Sequence, residues 1–459
     1  MIGSYSLSEI AERCKGQIFG DNVEVSCFSS DTRSLTFGDA FIALKGKNFD
    51  GNDLIDDAIG KGAVALVVSK KLSCKLPLLY VEDSLQALAA IALITRERSE
   101  AKIIGITGSQ GKTTVKEMTG SILSEKGQTL ITSENRNNTI GVPLTLFNLD
   151  KRHEFAVIEM GADRRGEIKF SADAVKPEIA VITNANDAHV EGFGSLQGIV
   201  EAKGEIIDAT SPGGSVILNN DDPHIGSWIE RCAKRKVIKF SGRNPDANYF
   251  ASNVQAGSDE PVTFRLNTPV GSRLIMLKLL GNHNVINAVA ASAAAMEAGA
   301  DLQQIKAGLE KVRPVSGRLF PLEGINECRV IDDTYNASPS SFKAAIDAFR
   351  FFPGEKILVA GDMRELGSES KKFHKAVGEY AAKSGIEKLW AVGDLSQHMA
   401  KAFGPQAKHF ASMDELVNEC RLTARPNLVF LIKGSRGSRM EIVANELSTA
   451  RRSNAGLVV

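Results

Sequence analysis

The densest chemistry in the sequence lies in Thr107-Gly108-Ser109-Gln110-Gly111-Lys112-Thr113-Thr114. Two glycines let successive backbone N–H groups converge on one anion. A lysine at 112 reaches the outer oxygens of a polyphosphate, and the Thr113 hydroxyl suits a divalent cation. The strict phosphate-loop pattern wants glycine where Ile106 stands, so the match is partial. Its surroundings supply the missing support. The apolar run Ile103 to Ile106 predicts a buried strand before the loop, and a helix is predicted from Thr114 onward. Against the bland alternative of a glycine-rich turn with a solvated lysine, this order of strand, loop and helix predicts ATP binding with Mg2+, through Gly108, Ser109, Gln110, Gly111, Lys112, Thr113 and Thr114.

Other polar groups stand where strands end. Phe155 to Ile158 and Ile179 to Ile182 are continuously apolar, as strands covered on both faces are. The first runs into Glu159, a carboxylate suited to magnesium directly or through water, and the second into Asn184-Ala-Asn-Asp-Ala-His189. Ligands collect at the carboxyl ends of strands in open α/β sheets, so both should border the phosphate loop. His189 alone would serve as a structural hydrogen-bonding residue, but its place after a strand equally fits a site. Lys203, in a helix predicted to begin near Glu201, reads on its own as an exposed lysine. Asn282, Asn284 and Asn287 open an alanine-rich helix running to about Ala298; its small residues fit close packing against a sheet, while the asparagines could face a base. Further on, Gly317-Arg318 precedes Asp332-Asp333-Thr334-Tyr335-Asn336-Ala337-Ser338-Pro339-Ser340-Ser341, a polar run after the apolar Val330-Ile331 that has the make-up of an active-site loop.

These groups need a scaffold, and 459 residues predict about three domains. Residues 1–83 alternate short β-type runs with polar loops. Ser29-Ser30-Asp31-Thr32-Arg33 and Gly46-Lys47-Asn48-Phe49-Asp50-Gly51-Asn52-Asp53 are the two loops of note; each alone reads as a turn, though their chemistry suits a uridine and a pyrophosphate. Residues 84–312 carry the phosphate loop and the parallel-strand signals. Residues 313–459 repeat strand, glycine and helix in a Rossmann-like rhythm, but no Gly-x-Gly-x-x-Gly follows the first strand, which argues against dinucleotide binding. The predicted fold is therefore α/β: a small N-terminal α/β domain, a central phosphate-loop parallel-sheet domain and a C-terminal Rossmann-like domain.

Bulk properties narrow the function classes. Hydrophobic content of 43% and charged content of 24% are ordinary for a globular chain, and 55 basic residues balance 55 acidic ones. No basic excess points to nucleic acid or an anionic membrane surface. Six scattered cysteines predict buried thiols in a reducing cytoplasm. Met1 to Gly16 predicts an amphipathic helix rather than a secretory apolar core, and no apolar run is long enough to span a bilayer.

Taken together, the Thr107 to Thr114 loop, Glu159, the Asn184 to His189 loop, Ala202-Lys203, His283-Asn284, Gly317-Arg318 and Asp333 resemble the Mur ligases, ATP-dependent amide-forming enzymes of peptidoglycan precursor synthesis. The resemblance spans essentially the whole chain. Within the family, the Asp332 to Pro339 run, Gly361-Asp-Met-Arg-Glu-Leu-Gly367 and Lys433-Gly-Ser-Arg436 resemble the branch that adds D-alanyl-D-alanine to UDP-N-acetylmuramoyl-tripeptide; the Asp-Asn-Pro-Arg of the diaminopimelate-adding branch does not occur. The resemblance implies that Lys112 and Thr113 serve the ATP phosphates and magnesium, and that Glu159 and His189 hold magnesium. It also implies that Lys203 is carbamylated to support a second magnesium, and that Asn284, Arg318 and Asp333 contact ATP. Lys112, His189, Lys203 and Arg318 form the implied catalytic set. Ser30, Asp31, Thr32, Arg33, Asn48, Phe49, Asp50 and Asn52 would hold the UDP end, although the family often has histidine where this chain has Asn52. Tyr335, Asn336, Ser338, Lys433 and Ser435 would serve the dipeptide or domain closure. A monomer is implied. A folate-polyglutamate ligase, or a nucleotide-gated regulator that hydrolyses ATP without ligation, would share the core alone.

Overall fold

A computed structural model describes residues 2–46, 49–187, 190–255 and 261–449. At its centre, strand Lys102–Thr107 is flanked by Ile179–Ile182 on one side and Phe155–Glu159 on the other, in a nine-stranded sheet. Thr129–Ile131 closes one edge. Beyond Ile179–Ile182 come Ser215–Asn219, Lys236–Ser241 and Tyr249–Gln255, all parallel, and then the antiparallel pair Val262–Thr268 and Gly271–Leu277. Ile103, Ile104 and Ile106 are fully buried because helices cover both faces, which is why the strand reads as an unbroken apolar run. One face lies under helices Ser84–Glu97, Glu167–Val175 and Leu196–Ala209, the other under Lys112–Ser124, Asn282–Glu297 and Leu302–Lys311. Register then does the positioning. Glu159 pairs with Ile106 and Ile182 with Thr107, so the carboxyl ends of three strands lie side by side.

The N-terminal part holds a five-stranded sheet in the order Gln17–Phe19, Leu78–Tyr80, Ala65–Val68, Ala40–Ile42 and Phe28–Ser29, parallel except for its first pair. Its apolar residues Phe28, Ala40 and Val67 share one core with Leu88, Leu146 and Phe147, so it is continuous with the central part. The C-terminal part is a six-stranded sheet in the order Phe320–Glu323, Arg329–Asp333, Leu428–Lys433, Glu355–Ala360, Lys388–Val392 and Ala407–Phe410, again parallel after the first pair. Two separate cores cover its two faces. Three α/β domains are thus observed, the third with the predicted parallel strand and helix alternation.

Some element bounds differ from the sequence expectation, each for a local reason. The phosphate-loop helix begins at Lys112 rather than Thr114, since Gly111 in a left-handed conformation turns the chain straight into it. The helix bearing Lys203 begins at Leu196, well before Glu201, because Ser195 caps it by accepting a bond from the Gly198 N–H. Near the end, Arg439 adopts a positive φ of 51° and divides the expected Ser438 to Thr449 helix into a short turn, Arg436–Ser438, and helix Glu441–Leu447. Among the described residues no helix is long and apolar enough to cross a membrane.

Candidate active site

The loop after strand Lys102–Thr107 depends on both its glycines. Gly108 has φ +147°, and a Cβ there would stand 1.9 Å from the Thr183 hydroxyl. Gly111 has φ +79°, and its Cβ would meet the Asn287 side-chain oxygen at 2.5 Å. Only glycine fits such a conformation so close to neighbouring polar groups. The loop is held by the chain that follows strand Ile179–Ile182. The Gln110 N–H donates to Asn184 Oδ1 at 3.0 Å, the Ser109 N–H to the Asn184 carbonyl at 2.9 Å, and the Asn186 N–H to Ser109 Oγ at 3.0 Å. Lys112 folds back over the loop and donates to the carbonyls of Gly108 and Ser109 at 2.7 and 3.2 Å. Burial lowers its amine pKa, while the Glu159 carboxylate acts the other way.

Thr113 and Glu159 meet below the loop, the hydroxyl donating to Glu159 Oε1 at 3.1 Å. Asn137 donates to the same oxygen at 2.8 Å. The second oxygen, Oε2, is buried with no hydrogen-bond partner among the described residues, an arrangement that costs free energy unless something positive meets it. Lys203 overturns the expectation of an exposed lysine. It is only 3% exposed, on the sheet-facing side of helix Leu196–Ala209, with its ammonium 5.2 Å from the Phe193 ring centre. Burial, and then the charge of Lys112, push its pKa down to about 7.

From the third domain, Arg318 reaches across and donates to the Thr113 hydroxyl at 2.9 Å. Its guanidinium lies 4.3 Å from the ring centre of Tyr335, a cation–π contact that holds it extended. Asp333, at the end of strand Arg329–Asp333, accepts from Lys433 Nζ at 2.6 Å and from the Leu319 N–H at 3.1 Å. Lys433 is 2% exposed and also donates to the Asn336 carbonyl at 2.9 Å. The polar run after Ile331 is partly framework: Asp332 is buried and takes the Thr334 N–H, while Ser338 caps helix Pro339–Phe349. Ser435 ties the same region together, donating to the Ala337 carbonyl at 3.3 Å and accepting from the Arg364 N–H at 2.9 Å.

Most of these groups line one cavity of about 1380 Å³. It brings together Gly108 to Thr114, Glu159, Lys203, Asn284, Arg318, Asp333, Tyr335, Asn336, Ser338, Lys433 and Ser435, drawn from two domains. Asn284 has its amide engaged with the Leu280 carbonyl at 2.8 Å. The described residues of the two N-terminal loops do not line this cavity. Asp31 there is paired with Arg33 at 2.8 Å, and Thr32 is buried. Phe49 is exposed, while Ser30 is half-buried. Asn52 is buried and its amide bridges Asp50 Oδ1 at 2.7 Å and Ser69 Oγ at 3.2 Å, so this side chain ties its loop to the end of strand Ala65–Val68. His189 and Asn48 lie outside the described residues. Asn137 and Asp163 are among the cavity residues that escaped the sequence reading. Asn137 had a signal, the polar run Asn135-Arg-Asn-Asn-Thr139 that follows an apolar segment.

A phosphate loop on a doubly covered parallel sheet, with a separate Rossmann-like domain delivering an arginine to it, defines a multidomain α/β protein of the nucleotide-dependent ligase type. Family models match three consecutive stretches: the Mur ligase family catalytic domain over residues 24–108, the Mur ligase middle domain over 106–295 and the Mur ligase glutamate ligase domain over 317–436. The chain belongs to the Mur ligase family. It is 41% identical over 446 residues to the UDP-N-acetylmuramoyl-tripeptide--D-alanyl-D-alanine ligase of Escherichia coli, covering 97% of this chain and 98% of that one. It is 40% identical to the ligase of the same name from Haemophilus influenzae, covering 96% and 98%. Among solved structures, MurF from Acinetobacter baumannii superposes with a TM-score of 0.92 at 33% identity, covering 97% and 99%. The MurF ligase of Thermotoga maritima in complex with ADP gives 0.83 at 28%, covering 92% and 96%.

Proposed function

We propose that this Mur ligase uses ATP to join D-alanyl-D-alanine to the tripeptide carboxylate of UDP-N-acetylmuramoyl-tripeptide, with release of ADP and phosphate. The names of its relatives support the substrates. The observation that carries the chemistry is the convergence of Lys112, Thr113, Glu159, Lys203 and Arg318 on one cavity shared by two domains. In this reading residues 1–83 bind the UDP end through the Ser30 to Arg33 and Asn48 to Asn52 loops, 84–312 bind ATP, and 313–459 close over the reactants.

A carboxylate has no leaving group, so it must be activated before an amine can displace anything. The tripeptide carboxylate attacks the γ-phosphorus, the bond to the ADP oxygen breaks, and an acyl phosphate forms. The dipeptide amine then adds to the acyl carbon, phosphate leaves, and the amine proton passes to solvent or a basic group. The first step is mostly positioning and charge neutralisation. With Ser109 and Gln110 fastened to Asn184, the backbone N–H groups of residues 111–114 are left to cradle the phosphates and Lys112 to meet the outer oxygens; Arg318 adds positive charge from the opposite side.

Magnesium fits the residues present. The partnerless Glu159 Oε2 beside the Thr113 hydroxyl is an oxygen pair suited to a hard cation. Thr113 and Glu159 would hold it, with His189; bound there, it would neutralise phosphate charge. Lys203 fits a carbamate because an amine held near pKa 7 is substantially neutral at physiological pH, the form that adds to carbon dioxide. Of the six cysteines, Cys232, Cys328 and Cys420 are buried as expected, whereas Cys14 and Cys74 are half-buried and Cys27 is exposed; the reading of a reducing cytoplasm rests on their scattered spacing in the sequence. The proposed working unit is a monomer, because two domains of one chain together line the nucleotide cavity.

The test is ADP release measured over a panel of UDP-muramoyl peptides and amines. ADP release should require both the tripeptide and D-alanyl-D-alanine. Release indifferent to the amine would favour a non-ligating nucleotide hydrolase, and a preference for folate with glutamate would favour a folate-polyglutamate ligase.

A further inference from the structure

Gln110 sits at the crest of the phosphate loop, and its backbone and side chain have different duties. The backbone is fastened to the central domain: its N–H donates to Asn184 Oδ1, and its carbonyl accepts from the Thr183 hydroxyl and the Asn184 amide. The carboxamide instead faces the C-terminal domain. Its nitrogen donates to Ser338 Oγ at 2.9 Å and to Ser340 Oγ, so the two N–H groups have one hydroxyl each. Ser340 stands on the first turn of helix Pro339–Phe349, and Ser338 is its cap, accepting also from the Ser341 N–H. A planar amide engaging two hydroxyls fixes both the distance and the rotation of that helix relative to the loop. With Arg318 on Thr113, the C-terminal domain touches both the loop and the start of the helix that follows it.

We propose that Gln110 is a positioning residue that latches the C-terminal domain onto the phosphate loop, and that the latch sets how much acyl phosphate is lost to water. This rests on the ligase reaction proposed above. In the loss reaction water adds to the acyl carbon, the carbon–oxygen bond to phosphate breaks, carboxylate and phosphate are regenerated, and a proton leaves to solvent. The net result is ATP hydrolysis without an amide bond. Replacing the side chain leaves the Gln110 N–H in place, so nucleotide binding should survive while closure weakens.

The experiment compares Gln110→Ala, Ser340→Ala and the double variant in the full chain. It measures amide formation, ADP released per amide bond, and affinity for a non-hydrolysable ATP analogue. Ser340 is chosen over Ser338 because it is not the helix cap. We expect each single variant to form amide about tenfold more slowly, with the double variant no slower than the worse single one. ADP per amide should rise in all three, and analogue affinity should stay within about threefold of wild type. The latch is overturned if analogue affinity falls in step with turnover in Gln110→Ala while Ser340→Ala is silent, if the two effects multiply, or if ADP and amide stay in step. Should Gln110→Ala fail to fold, the ADP-to-amide ratio of Ser340→Ala alone decides. The wild type separates the two proposals: absence of amine-dependent ADP release overturns the reaction, whereas normal release with silent variants overturns only the latch.

Discussion

Two lysines with lowered pKa share the cavity and call for different tests. Lys112 closes on the loop carbonyls, where an outer phosphate would draw it away, so Lys112→Ala should abolish ADP formation in a folded protein. The loss expected is about 3–5 kcal/mol of transition-state stabilisation; near-normal turnover would sink the phosphate-loop role. Lys203 is a stability liability as an amine. Its folded pKa is about 7 against an ordinary 10.5, so between those values the unfolded chain holds the extra proton and stability rises with pH. The penalty is fully developed below about pH 7. In bicarbonate-free buffer Lys203→Met should therefore melt higher than wild type at pH 6, the difference fading toward pH 10, with an upper bound of roughly 3–5 kcal/mol. Lys203→Ala should lose activity and regain part of it with formate or acetate, which would supply the missing carboxylate oxygen. Full activity without rescue would make Lys203 a packing residue.

At the scale of elements, the site depends on how strand ends and helix starts meet. Gly111 joins the phosphate loop to helix Lys112–Ser124 with a positive φ and lies against Asn287 of the alanine-rich helix. Gly111→Ala brings both a strained backbone and a contact at 2.5 Å, so it should destabilise the fold by about 1–2 kcal/mol and weaken nucleotide binding more than its stability loss explains. Thermal melting read beside nucleotide titration checks this. Unchanged affinity would mean that the loop can shift without cost. The alanines of helix Asn282–Glu297 explain why that neighbour stands so close: small side chains bring it against the loop helix, and the pair shares one core.

For the whole molecule, the cavity is a joint between domains. Arg318 follows the segment Lys311 to Ser316, in which Pro314 restricts its neighbour, and rotation between the domains is expected there. Because the Arg318 contact to Thr113 belongs to the docked arrangement, Arg318→Ala should cut turnover by at least tenfold while changing UDP-tripeptide binding little. Small-angle scattering should show a smaller radius of gyration with ATP analogue and UDP-tripeptide than without them. An unchanged radius together with a purely binding-type defect would rule out closure as part of catalysis.

What the sequence determined by itself was whatever depends on short-range order. The phosphate loop, the doubly covered strands and the residues at their ends were legible because burial on both faces writes an apolar run and a tight turn demands glycine. Lys203 was not legible from its neighbours. Its burial follows from which side of helix Leu196–Ala209 packs on the sheet, and the start of that helix at Ser195 lies outside the motif. Asn137 joined the site because strand Phe155–Glu159 pairs with Thr129–Ile131, which brings Glu159 beside the loop that follows that neighbouring strand. The contacts from Arg318 to Thr113 and from Gln110 to Ser338 and Ser340 cross between domains, and no local pattern encodes a pairing 228 residues apart. Local chemistry named the groups; long-range packing decided which of them meet.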